Sequence, residues 1–496
     1  MPTEDLDYLA AIEYLYSRID YERTADSRPY PFRLRRMREL LDRLELRCVA
    51  GDEIPVVHIA GTKGKGSTAT MVAAMLTAGG VRTGLYTSPH LIDLAERFVV
   101  DGELATRGEV IDLVNSVRRV ADRLADSESG PPTFFELTTA IALLHFRRQG
   151  CQAVVLEVGL GGRLDSTNVC RPAVTAITSI GLDHQHILGN SLAEIASQKA
   201  GIIKPAVPVV SGVSEGPAAA VIESISRKQR APIYRLGRDF DFHIRPSGRD
   251  VNDESDCDTA ADRQPQWSSR LDICGRDDLP LNTGEPSVAI DRVAVTPRHD
   301  WRLPLGGNHQ GRNAAVACMI LDLLNAATTD PRVTAESPPR LATAIGLDSQ
   351  ARGLAAVRCA GRIERFLAAD QTEVILDTAH NVDSIAALCE TLRERAAGRT
   401  VTVIFGTSRD KDHRPMLEQL VGVANRLILT RYHGNPRYRP PADMLLDLPA
   451  GFISQTEESP ATALTIARQA AQPPGEHLIV VCGSFFLAAE VRPLLT

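Results

Sequence analysis

Apolar residues recur along the chain with two different periods, and the changes of period mark its elements. Leu9, Ile12, Leu15, Tyr16 and Ile19 share one helical face, and Leu34, Met37, Leu40, Leu41 and Leu44 share another. Residues 4–50 are therefore expected to form helices, with a loop at 26–31. From Ile54 to Val213 short β-branched runs alternate with longer helical patterns. Five of the runs read as strands, at 56–60, 83–87, 153–158, 173–180 and 207–211. Strands that alternate with helices imply an α/β fold whose sheet is mostly parallel and covered on both faces.

The pattern fails over residues 238–300. Residues 250–262 carry six acidic side chains and no basic one, and their flanks are poor in apolar positions. Such a stretch is expected to be a partly disordered surface insertion with no catalytic role. Order resumes at Trp301, and an apolar helix is expected at 313–324. Past Ala355 new strands follow at 373–376, 401–405, 426–430 and 477–481, so the chain is expected to divide into residues 1–355 and a second α/β domain, 356–496.

The polar residues gather where the strands end. The first strand runs into Gly61-Thr62-Lys63-Gly64-Lys65-Gly66-Ser67, after which Ser67 is placed to cap a helix closed by Gly79-Gly80. A strand, a glycine turn and a helix N-terminus aim backbone N–H groups at one point, and Lys65 adds a charge there, which suits a nucleoside triphosphate. The loop is a short variant of the usual phosphate loop, with Ile59 where that pattern has glycine and Gly66 directly after the lysine. The next strands end in Ser88-Pro89-His90, in Glu157 and in Asp183-His184. Ligands of open parallel sheets bind at the carboxyl ends of the strands, so a hydroxyl, a carboxylate and an imidazole converge on the loop. Oxygen ligands with one imidazole beside a triphosphate suit Mg²⁺. Glu157, inside V-V-L-E-V-G-L, would be buried and needs a cation or strong donors. In the second half Arg362, D-T-A-H-N at 377–381 and G-T-S-R-D-K-D at 406–412 again follow strands, with Asp377 placed as a ribose-binding acid would be.

Composition narrows the partners. A formal net charge of −7 speaks against nucleic acid, and the basic cluster Arg33, Arg35, Arg36 and Arg38 reads as a solvated helix face. No run of apolar residues is long enough to span a membrane. The nine cysteines include no C-x-x-C pair, and the acidic start M-P-T-E-D-L-D has no secretory character, so buried reduced thiols and a cytoplasmic setting are expected.

With these residues in hand, the chain resembles the dihydrofolate synthase/folylpolyglutamate synthase family of the Mur ligase superfamily. The likeness rests on A-G-T-K-G-K-G-S, Y-T-S-P-H-L followed by E-R, F-F-E-L-T-T, L-E-V-G-L-G-G-R-L-D-S-T-N, S-I-G-L-D-H, Q-K-A-G-I-I-K, G-R-I-E, D-T-A-H-N and D-K-D, in that order. It implies a P-loop-type central domain followed by a smaller Rossmann-like domain. It also implies an ATP-dependent ligase that joins L-glutamate to dihydropteroate or a folate through an acyl phosphate. Gly61, Thr62, Lys63, Gly64, Lys65, Gly66 and Ser67 would hold the phosphates, Arg362, Asp377 and His380 would also bind ATP, and Asn313 would meet the adenine. Ser88 and Glu157 would bind one Mg²⁺ and His184 a second, joined by Lys199 as a CO₂-derived carbamate; Lys65, Glu157, His184 and Lys199 would be the catalytic set. The family pattern also admits a monovalent cation. The folate would meet Ile19, Asp20 and Tyr21, then Thr133, Phe134, Phe135 and Glu136, and Leu164, Asp165 and Ser166. A monomer is the expected state.

The sequence departs from the family at Lys63, where asparagine is usual, at Gln198, where glutamate is usual, and at Thr378 and Val382 around A-H-N. Two other readings stand beside this one. A Mur-type ligase acting on a cell-wall precursor is opposed by the folate-loop matches and by the short stretch before the phosphate loop. A nucleotide-binding homologue without activity is opposed by the intact set of Lys65, Ser88, Glu157, His184 and Lys199.

Overall fold

The structure is a computed structural model that describes residues 3–19, 34–247, 267–275, 293–330, 337–368, 372–396, 398–471 and 473–496. The chain divides into two compact units, one of Met1–His243, Leu271–Trp301 and Gly311–Val357, the other of Ile244–Arg270, Arg302–Gln310 and Arg358–Thr496.

The first unit is built on eight strands: β1 (Val56–Ala60), β2 (Thr83–Tyr86), β3 (Phe98–Val100), β4 (Glu103–Leu104), β5 (Ala153–Glu157), β6 (Val174–Ile177), β7 (Val209–Ser211) and β8 (Ile233–Arg235). Their order is β4-β3-β2-β5-β1-β6-β7-β8, parallel except for β3 and β4, which fold back antiparallel at one edge. Strands β2, β5, β1 and β6 are adjacent, so the turns after Ala60, Tyr86, Glu157 and Ile177 emerge side by side. Every residue of β1 and β5 is buried, because a central parallel strand has helices on both faces. One side is covered by the helices Thr3–Tyr16, Leu34–Arg43, Arg107–Ala125 and Phe134–Arg148, whose Leu15, Met37, Leu40, Leu113, Phe134 and Ile141 join a continuous core.

Three strands lie in the stretch expected to be an insertion: β9 (Phe240–Pro246), β10 (Ser269–Gly275) and β11 (Arg298–Leu303), ordered β11-β10-β9. The expected partly disordered surface insertion is thus corrected for these segments, which are strands. In β10 alternate positions Ser269, Leu271, Ile273 and Gly275 are buried, a period-two signal too short to stand out between polar flanks. The acidic run 250–262 lies outside the described residues.

The second unit carries β12 (Glu364–Leu367), β13 (Glu373–Leu376), β14 (Thr400–Phe405), β15 (Arg426–Thr430), β16 (Ser454–Glu457) and β17 (His477–Cys482), in the order β12-β13-β17-β14-β15-β16. All pairs are parallel except β12 with β13. Its core runs through Ile375, Leu388, Val403, Phe405, Leu427 and Val480. The cysteines among the described residues are free, and no helix among them is long and apolar enough to cross a membrane.

One polar residue interrupts β1. His58 is fully buried, and burial pushes its imidazole down to about 3. The unfolded chain, with an ordinary histidine near 6.5, therefore binds a proton that the folded chain refuses between about pH 6.5 and 3. Stability from this residue is fully present above pH 6.5 and is lost as pH falls through that window. In thermal unfolding, the Tm of His58→Gln relative to the parent protein is expected to rise as pH is lowered from about 7 to 5.

Candidate active site

The loop after β1 is fixed from β6. Thr62 N–H donates to the Ser179 carbonyl (2.8 Å), Gly181 N–H donates to Thr62 Oγ1 (3.0 Å) and Lys63 N–H donates to Ser179 Oγ (2.9 Å). The helix Lys65–Ala78 then starts one turn earlier than a Ser67 cap would have it. Gly64 is its N-cap, with φ of 82°, and a Cβ there would lie 2.2 Å from Asn313 Oδ1. Only glycine suits both the left-handed backbone and the close approach of Asn313. The first-turn N–H groups of a helix have no intrahelical acceptors, and here they open from a glycine turn, as phosphate oxygens require.

Glu157, Asp183 and Lys199 meet this loop. Glu157, at the end of β5, is 4% exposed; its Oε2 accepts from Ser88 N–H (3.1 Å) and its Oε1 lies 3.8 Å from Lys65 Nζ. Lys63 Nζ lies 3.3 Å from Asp183 Oδ2, which gives the unusual lysine of the loop a carboxylate partner. His184 follows with φ of 50°, a half-exposed ring and Nε2 at 3.9 Å from Asp183 Oδ1. Lys199, last residue of the helix Leu192–Lys199, is buried and donates from Nζ to the Gly61 carbonyl (3.0 Å). Burial, reinforced by Lys65 and Lys63 and opposed by Asp183, pushes the Lys199 ammonium down to about 7. A large share of this amine is thus neutral near neutral pH, and a neutral amine is a nucleophile.

Hard cations take oxygen ligands. Among the described residues no group of three or more His, Cys, Asp or Glu forms a metal cluster. The Glu157 carboxylate beside Ser88 nevertheless fits a cation that draws its remaining ligands from phosphate oxygens and water.

The expected folate residues divide between solvent and core. The Ile19 side chain is exposed while its carbonyl accepts from Phe134 N–H (3.1 Å); Asp20 and Tyr21 lie outside the described residues. Thr133 and Glu136 form the capping box of the helix Phe134–Arg148. Phe134 stacks on Tyr16 with centroids 5.2 Å apart, and Phe135 fills the space that a Cβ on Gly159 would need. Leu164 is partly exposed, whereas Asp165 and Ser166 are buried. Asp165 caps the turn Ser166–Val169 through Thr167 N–H (3.0 Å) and also accepts from Leu160 N–H (3.0 Å); burial pushes its carboxyl up.

Arg36 is not on a solvated face. It is buried and donates from Nε to both Glu136 oxygens (3.0 and 2.9 Å), with its Nη2 at 2.7 Å. Glu136 is thus committed to holding the helix Leu34–Arg43 against Phe134–Arg148. Removing one member of a buried pair leaves the other uncompensated, so Arg36→Ala is expected to lower stability by about 3–5 kcal/mol, measured by denaturant unfolding.

In the second unit Asp377 follows β13. Its oxygens accept from Ile363 N–H (2.8 Å) and Ala379 N–H (2.7 Å), and burial pushes its carboxyl up against the opposing pull of Arg362. Arg362 donates to Thr378 Oγ1 (2.7 Å) and lies over the Phe485 ring at 5.2 Å. His380 Nδ1 lies 2.8 Å from the Thr378 carbonyl, which can only accept, so Nδ1 carries the proton. The His380 ring is 5.3 Å from that of Phe485. Phe485, which lies against both the Arg362 and the His380 side chains, was not singled out from sequence. Its position just past β17, at the carboxyl end of a central parallel strand, was the signal.

Residues 59–240 match the Mur ligase middle domain and residues 361–485 match the glutamate ligase domain of Mur ligases. A dihydrofolate synthase/folylpolyglutamate synthase of Bacillus subtilis is 30% identical over 467 residues, 93% of this chain and 94% of the relative. This chain belongs to the dihydrofolate synthase/folylpolyglutamate synthase family. A second member, a folylpolyglutamate synthase of Lacticaseibacillus casei, is 31% identical across 88% of this chain and 89% of its own. Among solved members, the Mycobacterium tuberculosis folylpolyglutamate synthase complexed with ADP and AMPPCP superposes with a TM-score of 0.78 at 27% identity, covering 99% of both chains. The α/β architecture is therefore that of the family, with its two sheets of mainly parallel strands.

Proposed function

We propose that this chain is an ATP-dependent ligase that forms an amide between L-glutamate and a carboxylate of dihydropteroate or of a folate. The observation that carries the reading is the interlocked set at the glycine loop: Glu157 on Lys65 and Ser88, Asp183 on Lys63, and Lys199 on the Gly61 carbonyl.

The reaction follows from what these groups can do. Loop N–H groups and Lys65 bind the β- and γ-phosphates and offset charge as the acceptor carboxylate oxygen attacks the γ-phosphorus and ADP leaves. The glutamate amine then attacks the acyl carbon, and phosphate departs with the former carboxylate oxygen. Mg²⁺, when bound, would neutralise phosphate charge, with Ser88 and Glu157 holding one ion and His184 and a carbamylated Lys199 a second. The neutral Lys199 amine can attack CO₂ and release a proton, replacing an ammonium by an anionic oxygen ligand. The family resemblance assigns Arg362 and His380, which both lie against Phe485, to ATP binding, and Asn313 to the adenine.

The test is phosphate release from ATP by the purified protein. Release is expected to require both glutamate and a pteroate or folate acceptor. Release that continues unchanged without either would contradict the reading.

A further inference from the structure

We infer that His58 is a positioning residue for the acceptor loop, holding residues 160–167 in place through Thr167 and Asp165. The inference rests on the ligase reading above, together with the family resemblance that sets Leu164, Asp165 and Ser166 of that loop against the folate.

Along β1, Val57 and Ile59 face one way and Val56, His58 and Ala60 the other, between Leu156 of β5 and Thr175 of β6. An imidazole is thus buried in one of the two central strands of the sheet, where an aliphatic side chain would avoid desolvation of two nitrogens. Only one nitrogen is compensated. His58 Nε2 lies 2.8 Å from Thr167 Oγ1, and Nδ1 is buried with no hydrogen-bond partner.

The direction of each bond is settled by Asp165. Its carboxylate accepts from Leu160 N–H on Oδ2 and from both Thr167 N–H (3.0 Å) and Thr167 Oγ1 (2.5 Å) on Oδ1. The Thr167 hydroxyl has one proton, and it goes to Asp165. Its oxygen must then accept from His58, so the imidazole proton sits on Nε2 and Nδ1 is left bare. A continuous line of bonds runs from this central strand through Thr167 and Asp165 to Leu160, and so ties both ends of the loop to the rigid sheet.

The next residue is tied down as well. Lys204 Nζ donates to Asn168 Oδ1 (2.7 Å), and Asn168 Nδ2 donates to the carbonyls of Arg163 (2.9 Å) and Gly201 (3.1 Å). The loop is therefore clamped from two sides, and His58 brings β1 itself into the network. An unpaired buried acceptor costs stability, and it is tolerated here because the other end of the ring makes the bond that fixes the loop.

The experiment compares His58→Leu, which removes the donor, with His58→Gln, which keeps an N–H near the Nε2 position, and with Thr167→Val. His58→Leu and Thr167→Val are each expected to raise KM for the acceptor about tenfold, the effect of one lost buried hydrogen bond, while KM for ATP stays within about twofold. The double variant is expected to be no worse than either single one, and His58→Gln to remain close to the parent. Amide hydrogen exchange supplies a readout independent of turnover: residues 160–167 should exchange faster in His58→Leu and Thr167→Val, with β5 and β6 unchanged. Equal rises in both KM values, additive losses in the double variant, or unaltered exchange in the loop would overturn the inference. A parent protein with no acceptor-dependent turnover would instead sink the ligase reading, and the exchange comparison would still decide the clamp. If His58→Leu does not fold, His58→Gln and Thr167→Val carry the same comparison.

Discussion

Glu157→Gln is expected to lower glutamate-dependent phosphate release by about 10²–10³-fold, and Lys65→Ala by a similar factor. The glutamine keeps the shape of the side chain and an oxygen for Ser88 N–H, but removes the negative charge that faces Lys65 at 3.8 Å. What is lost is the charge proposed to hold a cation against the phosphates, so the fall should appear in kcat more than in stability. Lys65→Ala removes the full positive charge at the mouth of the glycine loop and leaves Glu157 buried without that partner. Steady-state turnover, with the fold checked by unfolding, measures both. Near-normal turnover in either variant would mean that the loop serves another purpose.

Lys199→Ala is expected to abolish turnover to a comparable extent and to regain part of it in the presence of short carboxylic acids. The deletion opens a buried space beside the Gly61 carbonyl, and a small carboxylate can bring back anionic oxygen there. The parent enzyme should in turn depend on bicarbonate. Since the ammonium is held down to about 7, the neutral amine that would capture CO₂ is plentiful above that pH and becomes scarce below it. Full activity of Lys199→Ala without any added acid would remove Lys199 from the reaction centre.

Much of this arrangement was legible because it is local. The runs Val56–Ala60, Glu373–Leu376 and Arg426–Thr430 are strands with the bounds their apolar residues suggest, and the polar residues that follow them lie at one edge of each sheet. Edge strands were harder. β12 and β16 are short and half-exposed, so they lack the apolar run that marked β13 and β14. The helix after the loop starts at Lys65 because Gly64 can adopt a left-handed backbone, a choice that competes with a serine cap and cannot be ranked from residue types alone.

The remaining surprises are pairings between distant parts of the chain. Arg36 looked like one of several basic residues on a helix face until Glu136, 100 positions away, came to lie against it. Lys63 departed from the family pattern without an explanation until Asp183, 120 positions away, supplied one. The Thr133-x-x-Glu136 spacing of a capping box was readable in the sequence, but the pairing of that glutamate with Arg36 was not. A buried charge is placed by its partner, and one sequence names the charge without naming the partner.

The acyl phosphate is the centre of this account, and oxygen tracing tests it directly. With acceptor labelled with ¹⁸O in its carboxylate, ATP and glutamate, the phosphate released should carry one ¹⁸O per amide formed. Phosphate free of the label, alongside normal amide formation, would contradict attack of the carboxylate on the γ-phosphorus.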